Sequence, residues 1–121
     1  MLIKEEKLKK ALLKALADEY SSKILSSTAW KAVSVMDLVR DEGIPSTSAY
    51  RRIGELKDQG LLVVDRTIVT KDGKKYDLYK GTFREVTVTF RRGSVEVSAI
   101  PNRDVFEKAF LLFHSLREKS K

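Results

Sequence analysis

The chain has 121 residues, of which 42% are hydrophobic and 34% charged, and it carries a formal net charge of +7. This length suits one compact domain with little room for a second core, and the basic balance favours polyanionic partners. The absence of cysteine excludes disulfides and thiolate metal sites, and no apolar run approaches the roughly 20 residues of a membrane span. We expect a single cytoplasmic domain, residues 1–121, without a membrane segment.

The first two predicted elements are helices. In residues 4–17, Leu8, Leu12 and Leu16 lie on one stripe while lysines and glutamates cover the rest, which predicts an amphipathic helix with a solvated charged face. Residues 18–30 predict a short capped helix centred on Ile24 and Leu25, the first of a three-helix bundle. We expect Trp30, which follows it, to pack in the core or at its rim.

Residues 34–60 have the pattern of a helix-turn-helix. Ser34 and Asp37 form an S-x-x-D capping box, which satisfies amides at a helix start. Gly43 suits the left-handed residue that closes a helix, and Pro45 keeps Ile44 out of helical geometry, so the chain must turn.

A second helix is predicted over residues 46–59, with Ser46 as its cap and Gly60 as its stop. Ala49, Ile53 and Leu56 share one face of this helix and Thr47, Arg51 and Gly54 the other. Hydroxyls and a guanidinium in the first turns are suited to reading base edges in the major groove of DNA. The plainer alternative is an ordinary two-helix hairpin of a small domain, in which this face packs against a neighbouring helix. Gly54 disfavours a helix by about 1 kcal/mol relative to alanine, unless something must approach the backbone there.

The following residues predict a wing. Residues 65–80 read as two strands around an Asp72-Gly73 turn, and Arg66, Lys71, Lys74 and Lys75 make the hairpin basic. Such a tip can contact phosphates or the minor groove, although an ordinary exposed turn is also polar. The candidate DNA-binding residues are therefore Ser46, Thr47, Ser48, Tyr50, Arg51, Arg52, Arg66, Lys71, Lys74 and Lys75.

Residues 8–81 resemble the ArsR-type winged-helix regulators and the small archaeal regulators similar to them. The resemblance is carried by ALADEYSSKILSST, by VSVMDLVRDEGIPSTSAYRRIGELKDQGLLVV, and above all by the spacing that ends at Leu56, Gly60 and Leu61. It implies a dimeric, DNA-binding transcription regulator. Metal-sensing members use cysteine and histidine clusters, and this chain has no cysteine and one histidine, so the metal-sensor role is not implied.

Two further elements are predicted after the wing. Residues 84–100 alternate with period two around Arg92-Gly93-Ser94, which predicts a second hairpin that extends the wing sheet. Residues 102–118, capped by Asn102 or Asp104, predict a helix whose apolar arc is too wide for one surface. We expect part of this arc to form a dimer interface, with the candidate residues Phe106, Phe110, Leu112, Phe113 and Leu116. His114 lies near the edge of this arc. No second type of metal-ligating residue clusters with it, so we expect an interface or surface histidine rather than a metal ligand.

The predicted fold class is α+β, a winged helix-turn-helix in residues 18–81 with an N-terminal helix, an extra C-terminal hairpin and a C-terminal dimerisation helix. The function expected is a homodimeric regulator that binds double-stranded DNA in a sequence-specific way, with helix 46–59 in the major groove. The alternative is a winged-helix adaptor that binds other proteins in a transcription or replication assembly. No catalytic motif, metal site or cofactor is indicated, and no effector is identified.

Overall fold

The computed structural model describes residues 1–105, and it has the predicted winged helix-turn-helix fold. Four helices and four strands follow one another along this part of the chain, and residues 103–105 are again helical. The predicted C-terminal helix beyond them and its interface residues Phe106, Phe110, Leu112, Phe113 and Leu116 lie outside the described residues. The elements are α1 (Glu6–Ala17), α2 (Glu19–Thr28), α3 (Val35–Glu42), α4 (Ser46–Asp58), β1 (Leu62–Val69), β2 (Lys75–Gly81), β3 (Phe83–Arg91) and β4 (Ser94–Pro101).

The start and end of α3 follow from local chemistry. Ser34 Oγ accepts the Asp37 amide at 3.1 Å, and Asp37 Oδ2 accepts the Ser34 amide at 2.9 Å. This reciprocal capping box satisfies two amides that the helix itself leaves free. Gly43, at φ 66°, closes the helix in the left-handed conformation that a side chain disfavours. Both features were predicted from the sequence and are confirmed.

The start of α4 differs from the prediction that Ser46 caps it. Pro45 is the capping residue, and its carbonyl accepts the Ala49 amide at 2.9 Å as the first bond of the helix. Ser46 is therefore already helical, and no side chain caps this end. Pro45 fits the position because its fixed φ suits the residue that enters a helix and a proline has no amide hydrogen to satisfy.

The end of α4 is a tight backbone stop. The Gly60 amide donates to the Lys57 carbonyl at 3.0 Å and the Leu61 amide to the Leu56 carbonyl at 2.9 Å, while Gly60 has φ 77°. This pair of bonds is the Schellman arrangement, which reverses the chain at once. As a result Leu61 and Leu62 enter the core directly after the helix, and both are buried.

The core lies between the four helices and the bases of the two hairpins. The α4 residues Ala49, Ile53 and Leu56 all point inward, as their helical spacing predicts. They belong to one buried cluster with residues from every layer of the fold, including Leu12, Ile24, Leu38, Ile44, Leu61, Leu62, Phe83 and Val97. No helix among residues 1–105 is long and apolar enough to cross a membrane.

The wing is the antiparallel pair of β1 and β2, with an irregularity between Val64 and Arg66. A third short segment joins it at Val33, whose amide donates to the Tyr79 carbonyl at 2.9 Å and whose carbonyl accepts the Tyr79 amide at 2.7 Å. The chain before α3 is thus anchored to the wing. This bridge fixes the position of the wing relative to the helix-turn-helix.

The second hairpin, β3 and β4, forms a sheet of its own, so the prediction that it extends the wing sheet is wrong. Its turn is also tighter than expected, because Arg91 already pairs with Ser94 and only Arg92 and Gly93 remain in the loop. Both have positive φ, 52° and 76°, as a two-residue turn matched to strand twist requires. The N-terminal residues extend this sheet on the β4 side, since Ile3 donates to the Val97 carbonyl and Met1 accepts the Ala99 amide.

Two polar side chains join the hairpins to the helices. Thr82 Oγ1 donates to the Gly60 carbonyl at 2.5 Å, directly beyond α4. The Asn102 amide group donates to the carbonyls of Ala29 at 2.9 Å and Gly81 at 2.7 Å. Thr82 and Asn102 are both buried, so each bond satisfies a carbonyl that water cannot reach.

Trp30 does not pack in the core, which was one of the two positions predicted for it, the other being the rim of the core. Its side chain is 72% exposed, and the Arg84 guanidinium lies 5.6 Å from the centre of its ring. The adjoining residues explain this, because Ala29 and Val33 are buried and occupy the inward positions on either side of the turn.

An ion pair ties α4 to the junction of α1 and α2. Arg52 Nε and Nη2 donate to the two carboxylate oxygens of Asp18 at 2.8 and 3.0 Å. Asp18 also caps α2 by accepting the Ser21 amide at 2.9 Å. That amide, together with the Arg52 guanidinium, lowers the pKa of Asp18 from 3.8 to about 2. The charged carboxylate is therefore preferred in the folded state.

The pKa of Asp18 leads to a prediction for acid stability. Because the pKa is lower in the folded state, the stabilisation is fully present above pH 3.8 and is lost as the pH falls through about 2. Asp18→Asn should lower the free energy of unfolding at pH 7 by up to about 1 kcal/mol. It should also make that free energy fall less steeply with acid, as measured by urea unfolding from pH 7 to pH 2.

The control is Asp58→Asn, at an exposed carboxylate without an ion pair in residues 1–105. This variant should follow the wild-type curve. Parallel curves for Asp18→Asn and the wild type would contradict the role given to the Asp18 carboxylate.

Candidate nucleic-acid interface

The outward face of α4 carries most of the base-reading candidates. Thr47, Tyr50 and Arg51 are exposed, with Tyr50 at 62%, whereas Ser48 is half-buried. Ser46 is exposed at the first helical position. The buried residues of the helix fix its rotation, so these groups face solvent from its first two turns.

The two adjacent arginines of α4 have different surroundings. Arg52 is held by Asp18 and lies 3.6 Å from Glu55, whereas Arg51 is exposed and forms no ion pair within residues 1–105. The contact of Arg52 with Asp18 raises the pKa of the guanidinium. Binding DNA through Arg52 would require breaking this two-point ion pair, so we remove it from the candidate surface and keep Arg51.

The tip of the wing is an ordered turn that presents lysines. The Thr70 amide donates to the Lys74 carbonyl at 2.8 Å and the Gly73 amide to the Thr70 carbonyl at 3.0 Å, and Thr70 Oγ1 also bonds to Asp72. Arg66, Lys71, Lys74 and Lys75 are all exposed. Lys74 lies 4.0 Å from Asp72, and the other three form no ion pair in the described chain.

A groove of about 520 Å³ connects α4 to the wing. Tyr50 lines it from α4, Lys75, Tyr76 and Tyr79 from β2, and Met36 and Arg40 from α3. Tyr50 and Lys75, both predicted site residues, are thus brought together. Thr47, Ser48 and Arg51 are not among its lining residues, nor are Lys71 and Lys74.

Charge in this groove is balanced locally. Arg40 donates to Asp37 at 2.8 Å and to Asp41 at 2.9 Å, which raises the pKa of its guanidinium. The Ser34 amide lowers the pKa of Asp37, with a smaller contribution from Arg40. Burial raises the pKa of Tyr79, and nearby Asp77 adds to the effect. Lys75 is the one groove cation in residues 1–105 without a carboxylate partner.

Sequence reasoning did not identify three of the groove residues, Met36, Arg40 and Tyr76. Met36 is exposed on α3, where Val35 and Leu38 are the buried residues, and Tyr76 is exposed in β2. The sequence did contain a signal for Tyr76, because side chains alternate along a strand and β2 therefore places Tyr76 and Leu78 on the same face. The proximity of Tyr76 and Leu78 to α3 depends on the backbone bridge between Val33 and Tyr79, which no local sequence pattern predicts.

Residues 1–105 contain no cluster of three or more histidine, cysteine, aspartate or glutamate side chains that could hold a metal ion. No protein-family model matches the chain, and no curated protein matches it in sequence. Among solved structures, the chain is similar to HlyU from Vibrio cholerae N16961, with 18% sequence identity and a TM-score of 0.44. This similarity covers 92% of the chain and 94% of HlyU.

The exposed Gly54 in α4 gives a stability prediction. A methyl group at Gly54 would meet no atom within 4 Å, so Gly54→Ala should add helix propensity without a clash. We expect the free energy of unfolding to rise by about 1 kcal/mol in urea denaturation.

Gly43→Ala is the matched control, because a methyl group there also meets nothing within 4 Å but the residue has φ +66°. The left-handed conformation should make this variant less stable by roughly 1–2 kcal/mol. If Gly54→Ala also lowered the stability, strain in α4 would have to replace the propensity argument.

Proposed function

We propose that this protein is a sequence-specific regulator of transcription that binds double-stranded DNA as a homodimer. In this proposal α4 enters the major groove and reads bases, while the wing contacts the phosphate backbone or the minor groove. The observation that carries the proposal is the contrast at Arg51 and Arg52. The fold uses Arg52 for its own ion pair and leaves Arg51 exposed and unpaired, among residues 1–105, beside Thr47 and Tyr50.

The distribution of charge supports the proposal. Between Ser46 and Arg84 there are nine lysines and arginines and five aspartates and glutamates. Six of the seven exposed cations of this region lie on α4 or the wing, namely Arg51, Lys57, Arg66, Lys71, Lys74 and Lys75, and the seventh, Arg84, lies on β3. Phosphate contacts by such groups release counterions and make affinity fall steeply with salt.

The homodimer part of the proposal rests on the sequence. A two-fold pair would place two copies of α4 about 34–36 Å apart, one turn of DNA, and would select a pseudo-palindromic site. Phe106, Phe110, Leu112, Phe113 and Leu116 remain the interface residues predicted from the wide apolar arc, outside the described residues.

The proposal is tested by separating base reading from backbone contact. The preferred site is first selected from random duplexes, and Arg51→Ala should then weaken binding to it by roughly 1–3 kcal/mol and reduce discrimination at one base pair. Arg51→Lys keeps the charge but loses the two-point contact, so it should also lose discrimination while retaining binding to random duplex.

Lys71→Ala should instead weaken all duplexes alike and lower the slope of log affinity against log salt by about one. Lys10→Ala, which removes an exposed lysine from α1, is the control and should change neither quantity. If the protein showed no preference above about 10³ for any duplex over random sequence, specific regulation would be ruled out and an adaptor role favoured.

A further inference from the structure

The outer edge of β3 is unpaired in the part of the chain that the structure describes. β3 pairs with β4 alone, and the N-terminal residues extend the sheet on the far side of β4. From Glu85 to Arg91 the register with β4 is regular, with no proline and no bulge. Proteins usually protect such edges with those features, so an open, regular edge suits pairing with another strand.

The backbone groups available on this edge can be identified. Val97 and Ala99 of β4 direct their backbone groups to Ile3 and Met1. Their partners in β3, Val88 and Val86, therefore form the pairs without hydrogen bonds and direct their own backbone groups outward. Phe90 follows by alternation, so the free donors and acceptors belong to Val86, Val88 and Phe90.

We propose that β3 pairs antiparallel with β3 of a second copy of this chain, with the two-fold axis at Val88. In this register every facing pair is complementary. Val88 faces the partner's Val88, Val86 faces the partner's Phe90, and Thr87 faces the partner's Thr89. Glu85 faces the partner's Arg91, and neither Glu85 nor Arg91 has an ion-pair partner of its own within residues 1–105. Opposite charges, paired hydroxyls and apolar pairs are the combinations that stabilise facing positions.

The exposed apolar side chains of β3 fit the same arrangement. Phe90 is 74% exposed and Val88 43%, although both lie on the sheet face that is buried at Val97 and Ala99. Val86, on that face, lines a groove of about 290 Å³ together with Leu12, Leu16 and Trp30. The partner's Phe90, opposite Val86, would lie at this groove, and the symmetry would place Phe90 at the partner's groove.

The pairing ends where the self-complementarity ends. One position further out, Arg84 would face the partner's Arg92. Arg84 is drawn away to the Trp30 ring, and Arg92 is in the turn beyond the strand. This interface does not use the C-terminal residues predicted for dimerisation, and it does not require DNA. Its test is therefore independent of the test of the proposed function.

Engineered cysteines test the position of the axis, because the chain has none of its own. Val88→Cys places two thiols across the axis, where Cα atoms of a hydrogen-bonded pair lie about 5.5 Å apart, within reach of a disulfide. Mild oxidation should convert most of this variant to a covalent dimer on non-reducing gels. Glu96→Cys, at an exposed position of β4, is the control, since the two β4 strands would lie about 14 Å apart and should not be linked.

Charge reversal tests the register. Glu85→Arg and Arg91→Glu each place like charges opposite one another at two symmetric positions, so each should raise the dimer dissociation constant about tenfold or more in analytical ultracentrifugation. The double variant restores both attractive pairs and should return to within about threefold of the wild type. Circular dichroism should show all three folded, because both side chains are exposed.

Three results would each overturn the proposal. One is a wild-type chain that is monomeric at all concentrations reached in the ultracentrifuge. Another is a dimer in which Val88→Cys is linked no better than Glu96→Cys, which would place the interface elsewhere. The third is a double charge variant that dimerises no better than the single ones.

Discussion

The backbone stop at the end of α4 is the constraint on which the rest of the structure depends. Gly60 in its left-handed conformation lets the Leu61 amide reach the Leu56 carbonyl, so the chain enters β1 without a connecting loop. The carbonyls of Gly60 and Leu61 then accept the hydroxyl and amide of Thr82, where the wing ends and the second hairpin begins. The helix, the wing and the second hairpin are therefore held at one point, and a shift of α4 would move all three.

The fixed position of α4 determines which of its side chains serve the fold and which are left exposed. The ion pair between Arg52, in the middle of α4, and Asp18, 34 residues earlier in the chain, ties the helix to the junction of α1 and α2. Because α4 is held at its middle by Arg52 and at its C-terminal end by the stop at Gly60, the backbone positions of Arg51 and Tyr50 are set before any ligand arrives. A helix whose backbone is already fixed loses less conformational entropy on binding than one that must be ordered by its ligand.

The parts that could be predicted from the sequence are those set by near neighbours. The capping box of Ser34 and Asp37, the left-handed Gly43, the inward face of α4 and the existence of two hairpins each depend on a few consecutive residues, and the structure contains all of them. The predictions that proved wrong depend on contacts between distant parts of the chain, or on neighbouring residues that compete for the same buried position. Trp30 is displaced outward because Ala29 and Val33 occupy the core, and the second hairpin forms a separate sheet because Val33 takes the open edge of β2.

The net charge of +7 is a poor guide to the interface until the internal pairs are considered. Arg40 is bound by two aspartates, Arg52 by Asp18 and Glu55, and Lys80 contacts Asp104. These cations contribute to the total but their fields are largely cancelled at short range, and more distant surface charges are screened within about 8 Å at physiological salt. A phosphate near the protein would therefore respond mainly to exposed cations without a carboxylate beside them. On α4 and the wing tip these include Arg51, Lys71 and Lys75, and this local excess, more than the total charge, favours DNA contact along that face.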